Sequence, residues 1–128
     1  MGIQSMANFV AIVDDDDLVR GALQGMLKSV GLPSQGFASA EEFLSSGQQN
    51  LTACLITDIR MSGMSGLDLL ARLNHEQRRI PTIFMTAHGD EKMRMQALTA
   101  GAREFLAKPF DDEALLASVR AALESCAR

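Results

Sequence analysis

Cysteine is scarce in this chain of 128 residues, with only Cys54 and Cys126 present. Cys54 lies in an apolar run and Cys126 near the C-terminus, and neither has a third or fourth sulfur or histidine ligand beside it. Neither a disulfide framework nor a zinc site is therefore expected. This cysteine usage fits a reduced, cytoplasmic protein. No apolar run is long enough to span a bilayer, and no charged-then-apolar N-terminal stretch reads as a secretion signal. Positive charge is in deficit as well: twelve Lys and Arg stand against sixteen Asp and Glu, for a net charge of −4. Such a balance provides no basic patch, so this domain is expected neither to bind nucleic acid directly nor to contact a membrane. Repeats, low-complexity tracts and long linkers are also absent.

What remains is ordinary globular material, 47% hydrophobic and 22% charged, enough for one domain around one core. Residues 1–7 are expected to be a tail and residues 8–126 the domain. Short apolar runs alternate with amphipathic stretches. Phe9 to Val13 reads as a buried strand. The next helix places Leu18, Ala22, Leu23, Met26, Leu27 and Val30 on one face and stops at Gly31 and Pro33. Ser34 to Ala38 forms a short strand. Ser39 opens a short helix as N-cap, with Glu42 as its capping-box partner, and Gly47 closes it. Strands follow at Ala53 to Thr57, Pro81 to Thr86 and Glu104 to Ala107. The intervening helices run from Gly66 to about His75, with Leu67, Leu70 and Leu73 as the apolar stripe, and from an Asp90 cap to Ala100, ended by Gly101. Asp111 or Asp112 starts the last helix, whose Leu115, Leu116, Val119 and Leu123 face inward. Strand–helix alternation repeated five times implies an α/β fold: a doubly wound, five-stranded parallel sheet of flavodoxin-like order 2-1-3-4-5 with five helices.

In such a sheet the working crevice lies beyond the carboxyl ends of the strands. The first strand ends in Asp14-Asp15, the third runs "CLITD" into Asp58, the fourth ends in Thr86 and the fifth is followed by Lys108. Parallel strands lie about 4.8 Å apart, so these groups must meet. Three crowded carboxylates repel one another and invite a hard cation. Oxygen ligands suit Mg²⁺ better than zinc, and the backbone carbonyl of Arg60 can complete the set. Lys108 supplies a mobile positive charge and Thr86 a hydroxyl donor. Together they form a receptor for a phosphoryl group, in which Asp58 attacks phosphorus and becomes an aspartyl phosphate.

The motifs "IVDDDD", "LITDIRMSGMSGLDLL", "IFMTAHGD" and "FLAKPF" resemble the receiver domain of bacterial two-component response regulators, over Phe9 to Leu123. "TAHGD" and "FLAKPF" look closest to regulators of the nitrogen-fixation type. The resemblance implies that Asp14 and Asp15 serve Mg²⁺, Asp58 is the phosphoacceptor and Arg60 the carbonyl ligand. It further implies that Thr86 is the switch hydroxyl, Phe105 the switch aromatic and Lys108 the phosphate-contacting lysine, with a cis Lys108–Pro109 peptide. A sensor histidine kinase would be the phosphodonor. The surface of the fourth helix, fifth strand and fifth helix would then respond, altering affinity for a partner or for a second copy. One position departs from the pattern: Ser62 stands where the family usually has proline after Met61, which is expected to loosen the turn carrying Arg60 without touching a reacting group.

Plainer readings stand beside these. Asp16 or Asp17 caps the first helix, and Phe105 reads equally well as a core aromatic. Met93 and Met95 read as gap fillers or as part of a partner surface. His75 suits a helix C-terminus. His88 lies close enough to the site to affect access. Two rival functions remain. Asp15-Asp16-Asp17-Leu18-Val19 also fits the D-x-D-x-T/V pattern of haloacid-dehalogenase-type phosphatases, with Asp15 as nucleophile and Asp17 as acid. An unphosphorylated receiver-like interaction module is the other. The favoured reading is a switch with only weak chemistry of its own rather than an enzyme.

Overall fold

A computed structural model describes residues 8–87, 91–108 and 111–126, with residues 125 and 126 described by backbone only. The residue 1–7 tail, His88, the Asp90 cap, the Lys108–Pro109 peptide and the Cys126 side chain lie outside the described residues. The elements alternate as β1 (Phe9–Val13), α1 (Asp17–Ser29), β2 (Ser34–Phe37), α2 (Ala40–Ser46), β3 (Thr52–Asp58), α3 (Gly66–His75), β4 (Thr82–Thr86), α4 (Glu91–Thr99), β5 (Glu104–Ala107) and α5 (Asp112–Cys126), with a 3₁₀ turn at Gln49–Leu51 before β3. The five strands form one parallel sheet in the order β2-β1-β3-β4-β5. That is the doubly wound arrangement expected from the alternation.

Burial explains why the central strands are apolar throughout. All residues of β1, β3 and β4 are buried, because helices cover both faces. On one face Val10, Ile12, Cys54, Ile56, Ile83 and Met85 pack against Leu23 and Leu27 of α1 and Leu115, Val119 and Ala122 of α5. On the other face, Phe9, Ala11, Val13 and Leu55 meet Phe37, Ala40, Phe43, Leu69 and Leu73. The Phe37 and Phe43 rings meet edge to face there, with centroids 5.2 Å apart. A smaller cluster joins Ile59, Leu70, Phe84, Ala97 and Ala102, with Phe105 half-buried against it.

Several local expectations need correction. In α1, Leu18 is 85% exposed, and Ala22 and Val30 also face solvent; Val19, Leu23, Met26 and Leu27 make the inward stripe. Leu18 shares the first turn with inward-facing Val19 but lies five residues before Leu23 and nine before Leu27, a spacing that puts it on the opposite side of the helix. In α3, Leu69 is buried alongside Leu70 and Leu73, while Leu67 is only half-buried. The capping box predicted for α2 is half made. Ser39 accepts from the Glu42 N–H at 2.9 Å, but the Glu42 carboxylate takes the Ala38 N–H at 2.6 Å. A full capping box stands instead at α3, between Ser65 and Asp68. Strand ends differ by one residue: β2 stops at Phe37, β3 includes Thr52 and Asp58, and β4 begins at Thr82. Leu23→Ala or Leu73→Ala should lower the unfolding free energy by about 2–5 kcal/mol. Leu18→Ala should change it by about 0.5 kcal/mol or less. Urea titration of the three variants checks both statements.

Candidate functional site

Strand register delivers the polar ends to one place. Val13 pairs with Thr57, so Asp14 and Asp58 emerge side by side. Asp58 pairs with Met85 of β4, and Thr86 pairs with Ala107 of β5, directly before Lys108. Backbone bonds fix each exit: the Asp14 N–H donates to the Phe37 carbonyl at 3.1 Å, the Ile59 N–H to Met85 at 3.2 Å and the Lys108 N–H to Thr86 at 2.8 Å. Asp14, Asp58 and Thr86 are all buried.

The Lys108 ammonium bridges the two buried carboxylates. Its Nζ lies 2.9 Å from Asp58 Oδ2 and 3.1 Å from Asp14 Oδ2. Asp14 Oδ1 also accepts the Asp16 N–H at 2.9 Å, and Asp58 Oδ1 accepts the Arg60 N–H at 3.3 Å. Burial pushes the Asp14 carboxyl above the usual carboxylate range; the Asp16 amide and Lys108 pull it down, and the Asp58 charge raises it further. Burial alone would depress the Lys108 ammonium, but its bonds to Asp58 and Asp14 outweigh that and hold its pKa above the usual lysine range.

Asp14, Asp15 and Asp58 each bring one carboxylate oxygen within 4.8 Å of the others. With one ammonium among three carboxylates, the ionised site keeps an excess of negative charge. An all-oxygen donor set of this kind fits a hard divalent cation rather than a thiophilic one. Asp16 caps α1, its Oδ1 accepting from the Leu18 and Val19 N–H groups. Asp17 is tied to Arg20, and its side chain is 85% exposed.

Five further residues position the site. Arg20 donates from Nη1 to the Asp14 carbonyl at 2.7 Å and so braces the acidic turn. Glu41, at the start of α2, accepts the Met64 N–H at 2.9 Å. Gly63 has φ +78°, and a Cβ there would come 2.8 Å from that Glu41 oxygen. Gly66, apparently a plain helix start, lets α3 lie against the Asp58 backbone. A Cβ would overlap the Asp58 carbonyl oxygen and stand 3.1 Å from the Ile59 Cα. Ser62, expected to leave its turn looser, donates its N–H to Asp15 Oδ2 at 3.2 Å, a tie that a proline could not make.

Residues 10–120 match the family model described as the response regulator receiver domain. The chain belongs to that family. It is 46% identical over 114 residues to the transcriptional regulatory protein FixJ of Azorhizobium caulinodans, covering 89% of this chain and 54% of FixJ. It is 43% identical over 118 residues to the response regulator protein TodT of Pseudomonas putida strain F1, covering 92% and 52% of the two chains. Among solved structures, the response regulator StyR superimposes with a TM-score of 0.88 at 41% identity, over 94% of this chain and 61% of StyR. The likeness to FixJ agrees with the nitrogen-fixation-type resemblance of the motifs. This receiver chain spans about half the length of the curated relatives it matches. No helix among the described residues is long and apolar enough to cross a membrane.

Gly66→Ala should destabilise the fold by about 1–3 kcal/mol, because the methyl group must displace backbone. Gly25→Ala, an exposed helical position with nothing within 4 Å of the added Cβ, should stabilise by about 0.4–1 kcal/mol. Chemical denaturation measures both, and only the first variant should also shift the Asp58 and Ile59 amide resonances. Lys108→Met should cost about 1–3 kcal/mol at pH 7. A raised folded pKa means the lysine's contribution is complete below the usual lysine range and is lost as pH climbs through the raised value. The gap between parent and variant should therefore close on the alkaline side in a pH series of melts, as the ammonium is lost.

Proposed function

We propose that this receiver domain is a phosphorylation switch whose acceptor is Asp58, loaded by a sensor histidine kinase. The receiver unit is assigned to residues 8–126. The observation that carries the reading is the Lys108 ammonium seated between Asp14 and Asp58 at the carboxyl ends of the strands. An Asp58 carboxylate oxygen attacks the phosphorus of a phosphohistidine. The P–N bond breaks, the imidazole nitrogen keeps the electron pair and takes a proton, and an acyl phosphate remains on Asp58.

Asp14, Asp15, Asp58 and the Arg60 carbonyl would hold Mg²⁺. When bound, that ion offsets the negative charge of the phosphoryl oxygens. Lys108 pairs with the same oxygens from the β5 side, releasing part of its hold on Asp58. The Thr86 hydroxyl donates to a phosphoryl oxygen and is drawn toward the acceptor. Phe105, half-buried against Phe84 and Ala97, turns into the space released. The surface of α4, β5 and α5 then presents a different face to a partner or a second copy; Met95 stands 52% exposed on it. The phosphoryl group shifts this equilibrium only by binding the two states unequally.

Turnover of a small-molecule substrate is not part of this reading; the domain takes up a phosphoryl group and loses it slowly to water. The phosphatase alternative would make Asp15 the nucleophile and Asp17 the acid, yet Asp17 is spent on Arg20 at the surface. An unphosphorylated module would have no use for a lysine pinned between two buried carboxylates. Incubation with acetyl phosphate and Mg²⁺ should add the mass of one phosphoryl group to the intact protein. Asp58→Asn should abolish the gain, and chelation should suppress it. A gain that survives in Asp58→Asn would transfer the assignment to Asp15.

A further inference from the structure

We propose that the backbone N–H of Ser62 is a positioning group for the cation site, holding Asp15 in place beside Asp14 and Asp58. The inference rests on the cation-binding reading above and deepens it. The three carboxylates are not equally restrained. Asp14 is buried and bonded to the Asp16 amide and Lys108. Asp58 is buried and bonded to the Arg60 amide and Lys108. Asp15 alone of the three is exposed, and the Ser62 N–H meets its Oδ2 from 47 residues away in the sequence.

An exposed carboxylate without a tether samples several staggered rotamers, and a ligand that needs one of them must pay for that ordering. The Ser62 bond supplies the order beforehand. It engages Oδ2 and leaves the other oxygen's lone pairs available, so holding and ligating are compatible on one carboxylate. The donor is itself anchored. Two residues on, the Met64 N–H is bonded to Glu41 on α2, so the turn from Ser62 to Met64 is held between a carboxylate of the β1–α1 turn and one at the start of α2. The holding group is an amide hydrogen. The Ser62 hydroxyl is not required for it, and replacement by proline removes the donor while replacement by alanine keeps it.

The test measures Mg²⁺ affinity by calorimetry, without phosphodonor, on the native domain, Ser62→Pro and Ser62→Ala. Ser62→Pro should bind Mg²⁺ about three- to tenfold more weakly, the loss expected for one hydrogen bond; Ser62→Ala should match the native domain. With acetyl phosphate, Ser62→Pro should need more Mg²⁺ for half-maximal labelling but reach the native rate at saturation. In metal-free native protein the Ser62 amide should exchange slowly with solvent, and Asp15→Ala should speed that exchange. This measurement stands even if the proline variant does not fold. Unchanged Mg²⁺ affinity in Ser62→Pro, an equal loss in Ser62→Ala, or fast Ser62 exchange in the native domain would each overturn the proposal while leaving the cation site intact. Failure of the native domain to bind Mg²⁺ would overturn the cation reading itself, and this proposal with it.

Discussion

Two buried carboxylates can stand next to each other in this protein because one ammonium is lodged between them. Asp14 and Asp58 leave adjacent strands, and their mutual repulsion in a water-poor setting would be costly without a counter-charge. Lys108 supplies it from the sheet edge, reaching past β4 with a long flexible stem. The rest of the architecture serves that meeting. Strand order places β1 beside β3, register aligns their ends, and helices on both faces exclude water from everything beneath. The paired acidic ends are thus tolerable because the lysine that follows β5 attends them.

Around this ion cluster lies a second tier of restraints made almost entirely by backbone groups. Arg20 grips the Asp14 carbonyl, the Arg60 amide meets Asp58, and the Ser62 and Met64 amides hang on Asp15 and Glu41. Gly66 lets a helix start directly against the β3 exit. Two of these contacts tie the turn after β3 to other segments, to the β1–α1 turn through Asp15 and to the start of α2 through Glu41.

The fold was legible because its signals were redundant. Five apolar runs with β-branched residues, each followed by a helical period, leave few topologies. The carboxyl ends of those runs carry charged groups, Asp14 and Asp58, that a buried strand would not otherwise contain. Asp14, Asp15, Asp58, Thr86 and Lys108 could therefore be placed together before any coordinates. Faces were less legible. Leu18 is as apolar as Leu23, but the five-residue spacing between them carries it round α1 to the solvent side. Leu69 is illegible as a core position because the three-residue spacing of Leu67, Leu70 and Leu73 supplies a stripe without it. Glu41, Ser62 and Gly66 were illegible as site residues for another reason. Their contributions are contacts of backbone, or with backbone, across 23 residues for Glu41 and 47 for Ser62, and residue type carries little information about such contacts.

The two outer strands, β2 and β5, are only four residues long, and neither is fully buried. Their free sides are the unpaired margins of the sheet, where another chain could in principle add a strand. Such margins invite aggregation when they are long, flat and apolar. Here they are short; Gln35 is exposed on one, and Glu104 on the other. A domain built this way offers another chain little edge on which to add a strand, so contacts with other chains are left to its helical faces and loops.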